Sequence, residues 1–260
     1  MISLHDRDEL ARRLRQDPDL HVYELGDLDD FFWPRTTWYG SEDGDAVVLV
    51  YSGTVPATVL ALSRAGGDAE LRRLLAETLP YLPRRFYGHV TSGAEAVLAD
   101  DCTADPHGPH LKMALTDVAA LERAPVDGEP LSVDDLVDVE KLYAASYPGN
   151  WFDPRMLETG QYIGIRRDRN LVAVAGVHVY APAQRVAALG NVTTLPDMRG
   201  QGLASAAVAC LCVRLRRTVD HIGLNVKADN AAAIRLYEGL GFEVVAEYLE
   251  SSFTVVVPAG

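Results

Sequence analysis

Apolar positions recur at helical spacing over residues 5–16 and roughly 21–31, then give way to β-branched runs at 46–51 (AVVLVY) and 57–62 (ATVLAL). A helical stretch near 69–79, a strand at 84–90 (RRFYGHV), a short helix near 93–99 and a strand at 110–117 (HLKMALTD) complete a first series. Residues 120–131 (ALERAPVDGEPL) combine proline, glycine and charge without periodicity and read as a linker. Beyond it Ser132, with Asp135 three residues on, predicts a capped helix running to about Ser146. Strands are expected at 162–168, 171–180 and 185–195, then a helix a few residues past Arg199, a strand at 221–227 and a helix from about Asn230 to Gly239. Two further strands are expected at 242–249 and 252–257. Both series run helix, several strands, helix, strand, helix, strand. That order predicts an α/β (α+β) chain, with domains at 1–120 and 130–260 that descend from a duplication.

Composition supports this picture and narrows the partners. A length of 260 residues suits two modest cores, and 48% hydrophobic with 23% charged residues is ordinary for a folded domain. Charge enters within the first six residues, and the longest apolar run, 203–213, falls short of the roughly 20 residues of a membrane span. A cytoplasmic protein without a membrane partner is expected. The formal charge of −13 would repel phosphate polymers and anionic membranes, so no nucleic-acid partner is expected either. Yet residues 191–235 carry six basic and three acidic side chains. A locally positive segment suits one small anion, and equally a solvated basic helix face. Three cysteines offer no disulfide framework, because Cys210 and Cys212 diverge on one helix. Cys102, His107 and His110 lack a fourth ligand, so no metal site is expected.

The basic segment opens on PDMRGQGLASAAVACL, residues 196–211. A strand stopped by Pro196 and a helix starting shortly after Arg199 leave unpaired N–H groups at a helix N-terminus, where the macrodipole adds about half a positive charge. Gly200 and Gly202 remove side chains from the approach, Ala204 keeps the first turn slim and Arg199 adds charge, so a diphosphate fits. A Walker loop would need Lys and Ser or Thr where Leu203 and Ala204 stand. A dinucleotide fingerprint would need glycine at Ser205.

Arg199-Gly200-Gln201-Gly202-Leu203-Ala204 instead resembles the R-x-x-G-x-G/A pyrophosphate loop of the GNAT superfamily of N-acetyltransferases. Downstream, Asn230, Ala233, Tyr237, Gly241 and Phe242 match the family's N-x-x-A-x-x-x-Y…G-F pattern. The likeness covers about 130–257. The stretch YPGNWFDPRML (147–157) also resembles the glycine N-acyltransferase-like branch, whose members can carry a degenerate N-terminal copy of the fold. Arg64 to Ala69 repeats the R-x-x-G-x-A spacing, but Asp68 would set a carboxylate against the phosphate and reads as a helix cap.

The resemblance implies a mixed, mostly antiparallel sheet flanked by helices, in two tandem GNAT-like copies of which the first is degenerate. It implies acetyl-CoA as donor, with the diphosphate on Arg199, Gly200, Gln201, Gly202, Leu203 and Ala204 and the pantetheine arm along Val192, Thr193 and Thr194. Asn230 would cap its helix and reach the cofactor. A strand amide near Val192 or Thr193 would polarise the thioester oxygen, and Tyr237 would assist the departing thiolate. With a pKa of about 10 against a thiol's 8.5, that tyrosine helps mainly by hydrogen bonding. Where many members carry a glutamate, VAALGNVTT offers only Asn191 and two threonines, so Asn191 is the residue left in the catalytic position. His178 and Glu158 are the replacements in reach of sequence reasoning. An α-amine, with a pKa near 8, needs less help than a lysine near 10.4. The acceptor, a small-molecule or peptide amine, is expected against Tyr147, Asn150, Trp151 and Phe152. Longer acyl donors, a non-catalytic acyl-CoA sensor and a homodimeric assembly all stay open.

Overall fold

The computed structural model describes residues 1–64 and 69–256, so most of the first R-x-x-G-x-A copy, with Asp68, lies outside the described residues. The described chain groups into two compact units. Unit 1 holds 1–113, 226–231 and the chain from Val244 onward, and unit 2 holds 114–225 and 232–243. Neither is contiguous, whereas the sequence reading places 130–260 together.

Unit 1 contains β1 (Ile2–Leu4), α1 (Arg7–Leu14), α2 (Val22–Gly26), β2 (Thr36–Gly40), β3 (Val47–Tyr51), β4 (Ala57–Ala61), α3 (Ala69–Thr78), β5 (Arg85–Thr91) and most of β6 (Cys102–Leu115). Strands β1 to β4 form an antiparallel meander, and β4 pairs with β5 in parallel over all five of its residues. Helix α3 buries Leu71, Leu74 and Leu75, one stripe at helical spacing, in a core with Val48, Val59, Phe86 and Phe253.

Unit 2 contains α4 (Val118–Arg123), β7 (Glu129–Pro130), α5 (Leu136–Ser146), β8 (Ile163–Arg167), β9 (Asn170–Ala181), β10 (Val186–Thr194), α6 (Leu203–Leu215), most of β11 (His221–Lys227) and α7 (Ala231–Gly239). The sheet runs β7-β8-β9-β10-β11, antiparallel except for the parallel β10–β11 pair. Ser132 and Asp135 form the expected capping box, which here closes a 3₁₀ turn leading into α5. Of the stretch 120–131 read as a linker, residues 120–123 belong to α4, which is capped by the Asp117 carboxylate accepting from the Ala120 N–H at 3.1 Å.

The final strand, β12 (Phe242–Val255), is continuous where the sequence suggests a break. Its residues 248–254 pair antiparallel with β5, setting Phe253 opposite Phe86 at 5.0 Å between ring centres. The polar Glu250-Ser251-Ser252 stretch does not break the strand, because Glu250 finds partners inside the unit. Glu250 accepts from Tyr87 and, at 2.8 Å, from Tyr248, with His89 at 3.6 Å and His110 at 3.5 Å. His107 meets Ser252 at 2.8 Å, so the histidines singled out beside Cys102 serve this network. Close by in the same unit, the buried Lys112 ammonium stands 3.8 Å from Glu24 and over the Tyr23 ring.

Burial lowers the His89 pKa to about 4 despite the neighbouring Glu250 carboxylate. Below about pH 6.5 the unfolded chain therefore takes a proton at this position that the folded chain refuses, and stability falls with pH until about 4. His89→Gln removes that contribution. Between pH 6.5 and 4.5 the melting temperature of the variant should drop less than that of the parent, by about 5 °C, in parallel thermal melts.

Candidate functional site

The site grows from a mismatch between two strands. Strand β10 pairs with β11 only from Val186–His221 to Leu189–Leu224, yet continues to Thr194 in contact with β9. At the point of parting, the β9–β10 register shifts between Gly190 and Thr193, and Asn191 takes a left-handed conformation with φ +56°. Residues 192–194 thus run along an edge that β11 has left.

That bulge is pinned from below. The Tyr143 hydroxyl on α5 donates to the Asn191 carbonyl at 2.9 Å, and Thr193 Oγ1 meets Ser146 Oγ at 3.1 Å. The Asn191 side chain is buried and donates to the Tyr162 hydroxyl at 3.0 Å and to the Met156 sulfur at 3.5 Å. The Phe152 ring packs 5.0 Å from Tyr143 and 5.9 Å from Tyr162. Phe152 is therefore part of an aromatic cluster under the strand, while Tyr147 and Trp151 of the same loop are exposed. Tyr147 lies near enough to Tyr237 to influence its ionisation.

At the end of β10 the chain makes a 3₁₀ turn at Pro196–Met198 and enters α6 through Gly202, with no side chain capping the helix. Gly200 and Gly202 have φ of +77° and +75°, conformations that suit glycine, and a Cβ on either would meet nothing within 4 Å. The loop therefore presents uncapped amides to open space. Arg199 is used differently from the direct anion contact expected. Its guanidinium donates to the Thr194 and Ser146 carbonyls, both at 3.3 Å, tying the loop to the C-terminus of α5. Gln201 is exposed, Leu203 is buried as an anchor for the first helical turn, and Ala204 is half-buried. Beside that turn, a surface cavity of about 380 Å³ is lined by Ser205, Arg123 and Arg235.

Tyr237 sits on the buried face of α7, its ring edge-on to Phe242 at 5.7 Å. Burial pushes its pKa above the ordinary phenol value, and among the described residues its hydroxyl bonds no protein group. Asn230 precedes α7, its N–H donating to Lys227 at 3.0 Å, and groups with unit 1. The other expected site residues all belong to unit 2. Glu158 is exposed.

Sequence reasoning missed the most direct sign of a ligand. Four buried polar atoms of unit 2 lack any hydrogen-bond partner: Asn150 Nδ2, His178 Nε2, Thr194 Oγ1 and Asn225 Oδ1. Thr194 ends β10, Asn225 is the first residue of β11 past the last pair, and Asn150 lies in the aromatic loop. Unpaired buried groups cost roughly 1–3 kcal/mol each, a cost that a polar ligand reaching them would relieve.

Comparison with known proteins agrees with that geometry. Residues 134–242 match the model of the acetyltransferase (GNAT) family. A mycothiol acetyltransferase of Brachybacterium faecium is 36% identical over 97 residues, 36% of this chain and 28% of that protein. The ribosomal protein bS18-alanine N-acetyltransferase of Escherichia coli is 47% identical over 57 residues, 22% of this chain and 38% of that one. The chain thus spans less than two fifths of either relative's length. A tandem GNAT protein from the clavulanic acid biosynthesis pathway shares the fold over 100% of this chain and 99% of its own, with a TM-score of 0.56 and 16% identity. No helix among the described residues is long and apolar enough to cross a membrane.

Proposed function

We propose, from the match of residues 134–242 to the acetyltransferase (GNAT) family model, that unit 2 transfers an acetyl group from acetyl-CoA to a primary amine by direct attack. The observation that carries this reading is the parting of β10 from β11 after Leu189, directly upstream of the uncapped, glycine-lined entrance to α6. The pantetheine arm runs along the freed edge at Val192, Thr193 and Thr194, and the diphosphate rests on the amides from Arg199 to Ala204. Arg199 holds this loop in shape, while Arg123 and Arg235 suit the cofactor's remaining phosphate.

Tyr237 donates a hydrogen bond to the departing thiolate. Its raised pKa keeps the proton on the phenol oxygen, so the help is electrostatic rather than full proton transfer. The acceptor amine approaches past the exposed Tyr147 and Trp151, with Asn150 Nδ2 free to donate to it and Phe152 closing the floor. Unit 1 is the degenerate copy, a structural partner without a cofactor slot, since all five residues of β4 pair with β5. The glycine N-acyltransferase-like placement rests on residues 147–157 alone. A non-catalytic acyl-CoA sensor is the second reading, favoured by a strand β10 that carries no carboxylate.

Thiol release from acetyl-CoA, measured with peptide α-amines, lysine side chains and small primary amines, tests the proposal. Amine-dependent release is expected, fastest with the less basic α-amines. Acetyl-CoA binding without release by any amine would favour the sensor.

A further inference from the structure

Strand β10 offers no acid to deprotonate the incoming ammonium, but its neighbour offers a base. His178 stands on β9 with its ring laid over Gly190, so closely that a Cβ there would collide with it. Gly190 is the first β10 residue past the last pair with β11 and directly precedes the Asn191 bulge. The imidazole therefore sits where the two strands part.

The groups around it bear on which nitrogen carries the proton. Asn191 Nδ2 has two hydrogens, committed to Tyr162 Oη at 3.0 Å and to Met156 Sδ at 3.5 Å, so only Oδ1, an acceptor, is left on that side chain to favour a proton on the neighbouring ring. Nε2 is buried without a hydrogen-bond partner, and a tautomer with the hydrogen on Nδ1 leaves no donor buried and unpaired there. Nε2 is then the bare nitrogen, buried, with its lone pair unused. Among the described residues no charged side chain perturbs the ring. Its surroundings are Gly190, Asn191 and, through Asn191, the phenols of Tyr162 and Tyr143, which burial keeps protonated. Burial also lowers the His178 pKa below its ordinary value, so the imidazole is neutral at pH 7.

We propose that His178 is the proton acceptor of the transfer, its Nε2 taking a proton from the acceptor's ammonium, with Asn191 as the positioning residue that sets its tautomer. This rests on the acetyltransferase reading above. The ammonium gives one proton to Nε2, and the neutral nitrogen attacks the thioester carbon. The new C–N bond forms as the C–S bond breaks, and the sulfur leaves with the electron pair. Of the two protons lost by the nitrogen, one ends on the thiol and one is released to solvent as His178 returns to its neutral form.

Two measurements on the intact chain test this. ¹⁵N spectra of the histidine rings, assigned with His178→Gln, should show Nδ1 protonated and Nε2 bare at pH 7. A ring protonated at Nε2 would overturn the proposal without touching the acetyl-CoA reading. The second follows thiol release from acetyl-CoA, with an alanyl tripeptide and Nα-acetyl-lysine as probe acceptors. For a probe that the parent acetylates, H178Q should lose about 10²–10⁴-fold in kcat and keep its KM for acetyl-CoA. The limb of the kcat profile below about pH 6.5 should vanish in H178Q and move to higher pH in Asn191→Asp, whose carboxylate stabilises the imidazolium. Unchanged kcat in H178Q would remove His178 from the reaction and leave the acetyltransferase standing. A parent that neither binds acetyl-CoA nor releases thiol would remove the acetyltransferase reading itself.

Discussion

Replacing Gly202 by valine should weaken acetyl-CoA binding by about 100-fold or more while the chain stays folded. Gly202 is the N-terminal cap of α6 at φ +75°, a conformation that costs a β-branched residue roughly 1–2 kcal/mol. A Cβ there meets nothing within 4 Å, so the fold is expected to persist. The added side chain takes up the open space in front of the amides. A diphosphate must then rise away from the amides of the first turn of α6 and lose several charge-assisted hydrogen bonds, each worth about 1.5–3 kcal/mol. Calorimetric titration of acetyl-CoA into both proteins, with circular dichroism confirming the fold, checks this. Equal affinity in G202V would show that the anion sits elsewhere.

Tyr237→Phe is expected to lower kcat by about 100-fold and to leave acetyl-CoA affinity within about twofold. Phenylalanine keeps the edge-on contact with Phe242, so packing on the buried face of α7 is retained and the loss isolates the hydroxyl. The effect belongs at the low end of general-acid contributions because the phenol is a weaker acid than the thiol it assists, and burial weakens it further. Steady-state thiol release with the parent's best acceptor separates kcat from KM. A fall in affinity with kcat unchanged would make Tyr237 a wall of the slot rather than a participant.

Features carried by local chemistry were legible in the sequence. Pro196, the glycines at 200 and 202 and the apolar run after them imply a strand stop and a following helix, both of which the chain forms. The Ser132–Asp135 capping box is equally local. What stayed hidden depends on pairing between distant strands. The Asn191 bulge arises from a register mismatch between β9 and β10, which no residue type near it announces. Nothing in the sequence singles out Tyr143 and Tyr162, whose hydroxyls meet the Asn191 carbonyl and side-chain amide only because the bulge places them there. Asn225 stands out only because β10 leaves β11 one residue earlier. A break is expected at Glu250 and Ser251 because most of the partners that satisfy Glu250, Tyr87, His89 and His110, are remote in sequence and stand on other strands. Asn230 matches its motif by spacing, yet falls with the residues of unit 1.

The central claim is that unit 2 holds acetyl-CoA at the entrance to α6, and the most direct test is the melting temperature with and without saturating acetyl-CoA, with ATP and NAD as controls. A ligand at 100 times its dissociation constant stabilises the folded state by about 2.7 kcal/mol, or roughly 5–10 °C for a chain of this size. The account predicts a shift of that order with acetyl-CoA, none with NAD or ATP, and its loss in G202V. No shift with acetyl-CoA, or an equal shift with all three ligands, would contradict it and leave Arg199 to Ala204 as a tight turn between a strand and a helix.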